Sequence, residues 1–464
     1  MDLVITQDCY EEIVHQNMSD FELSQEEAIK ETIEQLKSQG VDLSNIITDM
    51  ATNNEDLSPE LQEALISLKC LVQKHAEPSY ITGQLDIIQA ECKKGLQYQV
   101  YAGKLDTYPL LMEILQNYES DNVVINSCFT TLIKLMDKQP DLLDDVGIQM
   151  IIKYLDKSGN QDIMSLVLKW TKVCCIMHEQ NRQSIFNAEI LGRLKTRLNE
   201  ANANLLRDIL AVLRALVLDD DVRVDFGKAH EHARVIASDT LCAIMRLLEK
   251  FKTEELFVMD LLLTISTLLV RTEFCKKVED AGGLPLVKYA MEQFPANEKI
   301  IRYSLKVLKA LAGNDECKAH IIQFGFSLTI VECLERNNKN ASTATFALAC
   351  IAALTLRCPE NSKAFYDHGA PNAIVDVMKL HRDNEAVQKH SSWAIRNMVS
   401  RSRYQNEKFL SLGVEEILKA NLKTFPKSEY DTKAALRDLG CDVNFKEEWT
   451  GKGGKITTQN NKAK

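Results

Sequence analysis

Apolar residues recur at helical spacing along most of the chain, and the predicted helices follow a repeating order. In the second half, each repeat unit begins at a glycine, and these glycines lie 43, 44 and 44 residues apart. A first helix is predicted directly after each glycine, then a longer helix, then a short helix that leads to the next glycine. The four glycines are Gly282, Gly325, Gly369 and Gly413. In the unit from Gly282, the apolar positions are Leu286, Val287, Ala290 and Met291, then Ile301, Leu305 and Leu308.

A period of this length built only of helices is typical of armadillo or HEAT arrays. We therefore predict an all-α fold, a right-handed armadillo/HEAT-type α-solenoid of about seven repeats plus capping helices. The pattern continues less regularly toward the N-terminus. There Gly147 is assigned the same role, Ala188 and Gly227 are assigned weaker versions of it, and Gly103 is predicted to open the first clear repeat.

Three segments are predicted from the pattern. Residues 1–57 form an N-terminal helical extension and acidic linker, 58–445 form the repeat array, and 446–464 form a disordered basic tail. In the extension, Ser24 and Glu27 predict a capping box, and Gly40 ends the helix. A single helix of about 16 residues is marginally stable on its own, so we expect this helix to dock on the array or on a partner.

The repeat between Gly227 and Gly282 is irregular, because it is 55 residues long. We predict that the excess is an inserted loop within Lys228–Thr240 that carries His230 and His232, since insertions in solenoids map to loops, often on the binding face. No metal site is predicted, because no further Cys or His follows at ligand spacing. The His-x-His sequence also resembles acceptor sites for histidine methylation, although these favour a small middle residue, unlike Glu231.

Composition narrows the compartment and the class of partner. The chain has 55 basic and 66 acidic residues and a formal net charge of −11, which opposes general attraction to nucleic acid or anionic lipid. The first twelve residues lack the pattern of a leader, and Asp260 interrupts the longest apolar run, so neither secretion nor membrane insertion is expected.

The 13 cysteines are odd in number and contain no Cys-x-x-Cys pair, which indicates the reduced cytoplasm, with the nucleus as an alternative. Cys174 and Cys175 are either core residues of one helix or a redox or metal pair.

Specific stretches resemble known proteins. The run 391–398, followed by Asn406 and Gly413, resembles the third helix of an armadillo repeat, in which Trp393 and Asn397 face the concave groove. The runs 38–46, 226–233, 435–441 and 449–451 lie outside the generic repeat and are similar to the family called armadillo repeat-containing protein, member six. The resemblance implies the fold, whereas it defines no biochemical activity.

Peptide-binding armadillo proteins use one Asn per repeat to bond the ligand backbone and Trp side chains to form pockets, and an amide suits any peptide unit. Counting back 16 residues from each glycine finds Asn397 alone, and counting back 20 finds Trp393 alone. A short local site is therefore predicted rather than a long groove. Alternatively, Asn397 bonds a neighbouring turn and Trp393 packs under the terminal cap. The other units have Ala353, Lys309, Ser266 and Thr131 at the Asn position, and Ala349, Leu305 and Leu262 at the Trp position.

Positive charge partly replaces the missing asparagines. Arg302, Lys306 and Lys309 follow one helical face, with Lys169 and Lys172 at corresponding places earlier, and Arg396 adjoins Asn397. If these helices line the concave surface, an acidic peptide is attracted there. The alternative is a solvated face without a ligand.

The predicted function is therefore a non-catalytic scaffold or adaptor that binds a partner protein segment, with no cofactor and no metal. The partner-binding residues are Trp393, Asn397, Arg396, Arg302, Lys306 and Lys309. No phosphate-cradling glycine loop or nucleophile elbow is found. The alternatives are a nuclear-transport-type adaptor, whose basic N-terminal arm and repeated Trp and Asn are missing here, and a nucleic-acid-binding solenoid.

Overall fold

A computed structural model describes residues 3–21, 23–44, 46–48, 57–157, 159–199 and 202–444. The predicted linker at Asp49–Asp56, the predicted tail at 446–464 and the run 449–451 lie outside the described residues. The chain divides into two compact units, Met1–Ile244 and Met245–Lys464. Both units are built of helices, as the hydrophobic pattern predicted.

The first unit begins with two helices that form their own small core. Its elements here are β1 (Leu3–Val4), α1 (Gln7–Asp20), α2 (Gln25–Ser38) and β2 (Val41–Asp42). The two-residue strands pair in parallel, with Leu3 opposite Val41. The predicted capping box of Ser24 and Glu27 is confirmed, and Gly40 follows the helix with a left-handed φ of 78°. The core contains Ile5, Cys9, Tyr10, Val14, Ala28, Leu36 and Val41.

Helix α1 was not predicted from the sequence, and it is the element on which α2 packs. Its inward face includes polar side chains, because Asn17 is buried and donates a 2.8 Å hydrogen bond from its amide nitrogen to the hydroxyl of Thr32. A buried face with polar members weakens the apolar periodicity that reveals a helix. Glu11 on α1 also forms a 3.3 Å ion pair with Lys104 of the array.

The rest of the first unit is a series of helices joined by short turns. Its helices are α3 (Pro59–Gln73), α4 (Pro78–Cys92), α5 (Leu96–Lys104), α6 (Thr107–Asn117), α7 (Asn122–Leu135), a 3-10 helix (Pro140–Leu142), α8 (Asp145–Asp156), α9 (Gln161–Cys175), α10 (Glu179–Asn187), α11 (Ile190–Arg197) and α12 (Ala203–Ala215). The boundary between the units, after Ile244, falls within the next helix, α13 (Ala229–Lys250).

The second unit repeats a medium, a long and a short helix. Its elements are α14 (Glu255–Leu268), α15 (Thr272–Asp280), α16 (Gly283–Gln293), α17 (Glu298–Leu311), α18 (Asp315–Gln323), α19 (Phe326–Arg336), α20 (Ala341–Thr355), α21 (Pro359–Asp367), α22 (Ala370–Leu380), α23 (Glu385–Val399), a 3-10 helix (Arg403–Gln405), α24 (Asn406–Ser411), α25 (Val414–Thr424), a 3-10 helix (Pro426–Ser428) and α26 (Glu429–Leu439).

The anchor glycines of the second unit serve as predicted. Gly282, Gly325, Gly369 and Gly413 have φ between 78° and 86° and immediately precede the medium helices α16, α19, α22 and α25. This left-handed turn suits glycine, which has no Cβ. The long helices stack in sequence, with α14 on α17, α17 on α20, α20 on α23 and α23 on α26. The order of helices predicted for these units is confirmed.

In the first unit the assignment of the anchor residues was wrong. Gly103 lies inside α5, Gly147 lies inside α8, and the left-handed position is taken by Asp106 before α6 and by Glu189, one residue after Ala188, before α11. Acidic residues accept this backbone conformation less readily than glycine does, so a search for glycine missed them. Gly227 is also not a left-handed anchor residue.

The loop predicted within Lys228–Thr240 is also wrong, because α13 is a continuous helix of 22 residues from Ala229 to Lys250. Its buried residues Ala233, Ile236, Ala237, Leu241 and Ile244 follow helical spacing. The extra length of this repeat is therefore helix, preceded by an irregular stretch after α12.

Within the described residues, no single helix is long and apolar enough to cross a membrane, and only the bent pair α18 and α19 meets both criteria together, across a 74° break.

Candidate functional site

The candidate site lies on the exposed side of the long helices α17, α20, α23 and α26, which we call the long-helix face. Asparagines cap three of these helices, and each side chain accepts hydrogen bonds from backbone amides of the first turn. Counted from these caps, Lys306, Ala349 and Trp393 occupy equivalent positions, nine residues after Asn297, Asn340 and Asn384.

This register corrects the equivalence obtained by counting back from the glycines. Helix α17 has 14 residues, whereas α20 and α23 have 15. Counting from the glycines therefore shifts α17 by one residue and aligns Leu305 with Trp393. Leu305 is fully buried, whereas Lys306 and Trp393 are both partly exposed, so Lys306 is the better equivalent of Trp393. By the same register, Ala310 rather than Lys309 corresponds to Asn397.

Asn397 is used inside the array. Its side-chain amide nitrogen donates a 2.8 Å hydrogen bond to the carbonyl oxygen of Ala352 on the neighbouring helix α20. The acceptor lies within a helix, whereas the alternative stated from the sequence was a bond to a neighbouring turn.

The basic residues of α17 lie together on the exposed face. Arg302 donates a 3.1 Å hydrogen bond to the Ser342 hydroxyl, and Lys309 is exposed. The Lys306 ammonium lies 5.8 Å from the ring centre of Tyr303 and 5.2 Å from that of Phe346. Burial, with the nearby charges of Arg302 and Lys309, lowers the pKa of Lys306. In the described part of the chain, no carboxylate lies within 4.0 Å of these three cations, so an acidic ligand would meet them unneutralised.

Helix α20 separates this cluster from α23 and carries no acidic or basic side chain. Phe346 and Ala353 are partly exposed on it, and the small Ala349 between them is buried. The middle of the long-helix face is therefore apolar.

Trp393 is half-buried on α23 among polar neighbours. The ring of His390 meets it edge-on at 4.9 Å and 67°, and the Lys389 ammonium lies 5.1 Å from its ring centre. The pKa of His390 is lowered by burial, with contributions from the charges of Lys309 and Lys389. The basic cluster and Trp393 lie on the long helices α17 and α23, which both pack on α20.

Arg396 continues the same face toward the C-terminal end of α23. Its Nε lies 3.7 Å from Oδ2 of Asp438 on α26. Asp438 was not predicted as a site residue, because nothing in its local pattern shows that several arginines surround it.

Lys169 and Lys172, the basic pair nearer the N-terminus, differ from the basic cluster on α17 in having a carboxylate beside one of the two ammonium groups. Lys169 is exposed on α9 and lies 3.7 Å from Oδ2 of Asp208, whereas Lys172 is exposed. On the same helix, Cys174 and Cys175 are both fully buried. Burial raises the pKa of the Cys175 thiol to about 12, which fits the interpretation as core residues.

His230 and His232 have different environments on α13. His230 is exposed, whereas His232 stacks on Phe186 at 4.0 Å and 10° and is buried. Nδ1 of His232 lies 3.1 Å from the Leu216 carbonyl oxygen, which can only accept, so this nitrogen donates. Among the described residues, no group of three His, Cys, Asp or Glu side chains is arranged to hold a metal ion.

A buried ionic network in the first unit was also missed. The guanidinium of Arg182, which is 1% exposed, donates to Glu179 at 3.0 Å and to Asp220 at 2.6 Å. Glu179 also accepts a 2.6 Å hydrogen bond from the backbone amide of Lys228. A Cβ on Gly227 would lie 3.1 Å from the Glu179 carboxyl carbon, so the stretch before α13 packs tightly on this network.

The arrangement of helices and the signature stretches can be compared with known proteins. A family model described as ARMC6 matches residues 60–458, and a model described as Armadillo repeat-containing protein 6 N-terminal domain matches residues 3–63. The chain belongs to the Armadillo repeat-containing protein 6 family. The resemblance inferred from the sequence is thus confirmed.

Curated members of the Armadillo repeat-containing protein 6 family align over nearly the whole chain. The Armadillo repeat-containing protein 6 homolog of Drosophila melanogaster is 41% identical over 454 residues, covering 97% of this chain and 98% of that protein. Armadillo repeat-containing protein 6 of Homo sapiens is 29% identical over 469 residues, covering 97% and 94%.

Solved structures share the fold at low sequence identity. An engineered protein (NESG Target OR497) has a TM-score of 0.69 at 15% identity, covering 82% of this chain and 89% of that one. A structure reported under "A conserved phosphorylation switch controls the interaction between cadherin and beta-catenin in vitro and in vivo" has a TM-score of 0.55 at 14% identity, covering 78% and 66%. These neighbours show an all-α armadillo-type solenoid, and the fold and family are typical of non-catalytic repeat scaffolds for protein binding.

Proposed function

We propose that this member of the Armadillo repeat-containing protein 6 family is a non-catalytic scaffold that binds an acidic segment of a partner protein on the long-helix face of its second unit. The observation that carries the proposal is the cluster of Arg302, Lys306 and Lys309 without a neighbouring carboxylate in the described part of the chain. Carboxylates of a partner segment would form ion pairs with these three cations. The beta-catenin neighbour, whose reported subject is an interaction with cadherin, is consistent with protein binding by this fold.

The order of the helices sets the pattern of the bound segment. Packed helices lie about 8–10 Å apart, so α17 and α23 are separated by roughly 16–20 Å across α20. An extended chain advances about 3.3 Å per residue, so this distance corresponds to roughly five or six residues. The segment therefore carries acidic residues at that spacing, with apolar residues between them over Phe346 and Ala353. One acidic group faces Lys306, and the other faces Lys389.

Affinity would come from few contacts. Exposed ion pairs contribute about 0–1 kcal/mol each, so the basic cluster mainly steers and orients the segment. Trp393 is the aromatic anchor, because it is half-buried and already fixed by His390 and Lys389.

We assign the reduced cytoplasm as the compartment, with the nucleus as a second site, because the 13 cysteines are free thiols.

The experiment uses two immobilised libraries of twelve-residue peptides. One has acidic pairs about five residues apart around apolar positions, and in the other lysine replaces every acidic residue. We expect the full chain to retain the acidic library and to lose most of it after Arg302→Gln, Lys306→Gln and Lys309→Gln together. The matched control replaces Arg336, Lys379 and Lys423 with Gln together, since these are exposed basic residues on the medium helices α19, α22 and α25.

Equal retention by the triple variant and the wild type would overturn the proposal. Preference for the lysine library would instead favour the nuclear-transport-type adaptor. Retention of single-stranded nucleic acid that weakens steeply with salt, and that the triple variant loses, would favour nucleic-acid binding on the same face.

A further inference from the structure

Asp438 is the meeting point of three arginines from three separate segments. Arg437 precedes it on α26, Arg396 comes from α23, and Arg403 comes from the 3-10 helix Arg403–Gln405. The Asp438 carboxylate is 4% exposed, so its one negative charge lies largely out of water. This cluster adjoins Trp393, because Arg396 lies one helical turn further along the same helix.

The carboxylate does not use the full donor capacity of these arginines. Arg437 occupies Oδ1 at 2.8 and 2.9 Å, within hydrogen-bonding distance. The nearest nitrogens of Arg396 and Arg403 lie 3.7 and 3.5 Å from the carboxylate oxygens, outside the usual hydrogen-bond range. Asp438 thus holds these two guanidinium groups near one another while leaving N–H donors of both for another acceptor.

Both side chains reach solvent. Arg403 is 54% exposed and Arg396 is 31% exposed. Arg403 also donates from Nη1 to the carbonyl oxygen of Asp438, which fixes its position against the end of α26. The arrangement is therefore an accessible and pre-oriented pair of guanidinium groups rather than two independent surface cations.

We propose that Arg396 and Arg403 bind a phosphoryl group on a serine or threonine of the acidic segment. This inference rests on the proposed function, because it adds a phosphorylated position to that same ligand. A phosphoryl group near neutral pH carries a charge of about −1.5 to −2 and three acceptor oxygens, which matches two guanidinium groups with donors left over. A carboxylate on the ligand would bring only one negative charge and two acceptor oxygens. The Asp438 carboxylate already provides that much to the cluster, so a ligand with more charge and more acceptors fits the remaining donors better.

The alternative is that the two arginines only cap the C-terminal end of α26. Arginine side chains do stabilise helix C-termini, and the bond from Arg403 to the Asp438 carbonyl is of this kind. Capping predicts a loss of stability and no dependence on phosphate. The two roles are therefore separated by measuring binding and stability in the same variants.

The test compares three versions of one degenerate acidic library that have phosphoserine, serine or glutamate at a fixed position. The full chain is immobilised, and retention is measured for wild type, Arg396→Gln, Arg403→Gln and Arg401→Gln, with the urea midpoint of each variant as the measure of stability. Arg401→Gln is the matched control, because Arg401 is exposed and lies two residues from Arg403, and its substitution removes the same charge. We expect roughly tenfold stronger retention of the phosphoserine library than of the serine library, with glutamate between them. Either substitution at the site should abolish most of this preference, whereas Arg401→Gln should keep it.

Equal retention of the phosphoserine and serine libraries by the wild type would overturn the inference, as would a preference that persists in both site variants. A phosphoserine preference lost equally in Arg401→Gln would also overturn it, since that result indicates general charge attraction. If the serine library binds and depends on Lys306 but phosphate adds nothing, the proposed function stands and this inference alone fails.

Discussion

The side-chain amide of Asn397 donates a 2.8 Å hydrogen bond to the carbonyl oxygen of Ala352, which joins two adjacent long helices of the second unit. In a peptide-binding groove, the same side chain would bond a ligand. Here one of its two N–H donors is already bonded within the protein, so Asn397 helps to position the surface on which Trp393 lies.

Replacing Asn397 with alanine should therefore lower stability more than it lowers binding. We expect a loss of about 1 kcal/mol in the free energy of unfolding, the usual value for one hydrogen bond. Chemical denaturation followed by helical circular dichroism measures this loss, and retention of the acidic library measures binding. A variant of unchanged stability that no longer binds would instead make Asn397 a ligand-binding residue.

Replacing Trp393 with alanine should lower binding more than it lowers stability. We expect retention of the acidic library to fall by an amount equivalent to roughly 2 kcal/mol, typical of an aromatic anchor, while the array stays folded. The matched control is Leu380→Ala, which removes an exposed apolar side chain from the medium helix α22. Calorimetry with a single peptide selected from the library gives the affinities. Equal affinities for the wild type and Trp393→Ala would exclude Trp393 as the anchor.

Arg182→Met should destabilise the first unit strongly. It leaves Glu179, 3% exposed, without its charged partner, and breaking a buried ion pair in this way costs about 3–5 kcal/mol. Arg193→Met is the control, because Arg193 pairs with Asp156 where both groups reach solvent, and should cost no more than about 1 kcal/mol. Urea denaturation compares the two variants. Similar small losses would show that the buried network is not important for stability.

The N-terminal helix pair should become less stable relative to its unfolded state as pH rises from 3.8 to about 6. Although Asp8 is exposed, partial desolvation and the carboxylates of Asp141, Glu11 and Glu12 raise its pKa to about 6 against the opposing charge of Lys104. Between its ordinary value of 3.8 and 6, the native state holds a proton that the unfolded state has released. Stability therefore falls with rising pH across this window and stays lower above it.

Asp8→Asn removes this effect, so it should raise the urea midpoint at pH 7.5 and change it less at pH 4.5. Asp20→Asn, at the other end of α1, controls for charge removal alone. A greater stabilisation at pH 4.5 than at pH 7.5 would contradict the assignment. Nuclear magnetic resonance titration of the Asp8 carboxyl would locate the pKa directly.

The sequence predicted the repeating helices well where glycine marks each turn, because the left-handed anchor and the apolar spacing agree in those units. It failed where other residues serve the same backbone role, as Asp106 and Glu189 do. It also failed at α13, because a pair of histidines and a long interval between glycines suggested an insertion although the apolar residues keep helical spacing.

The candidate site could be predicted only in part. The basic spacing of Arg302, Lys306 and Lys309 is visible along one helix, and the structure places all three on its exposed side. The absence of charge on α20 acquires meaning only when that helix lies between α17 and α23. Asp438 and Arg403 come together with Arg396 through contacts between distant segments, which a local pattern does not show.

The most direct test of the proposed binding face is to place a photo-crosslinking amino acid at Ala353, a small, partly exposed residue of α20. The acidic peptide selected from the library is added, and the crosslinked fraction is measured by mass spectrometry. The same amino acid at the exposed Leu380 on α22 is the comparison. We predict efficient crosslinking at position 353 that Arg302→Gln, Lys306→Gln and Lys309→Gln together abolish, and little at position 380. Equal crosslinking at both positions, or crosslinking at position 353 that survives the triple substitution, would contradict the claim that this face binds the acidic segment.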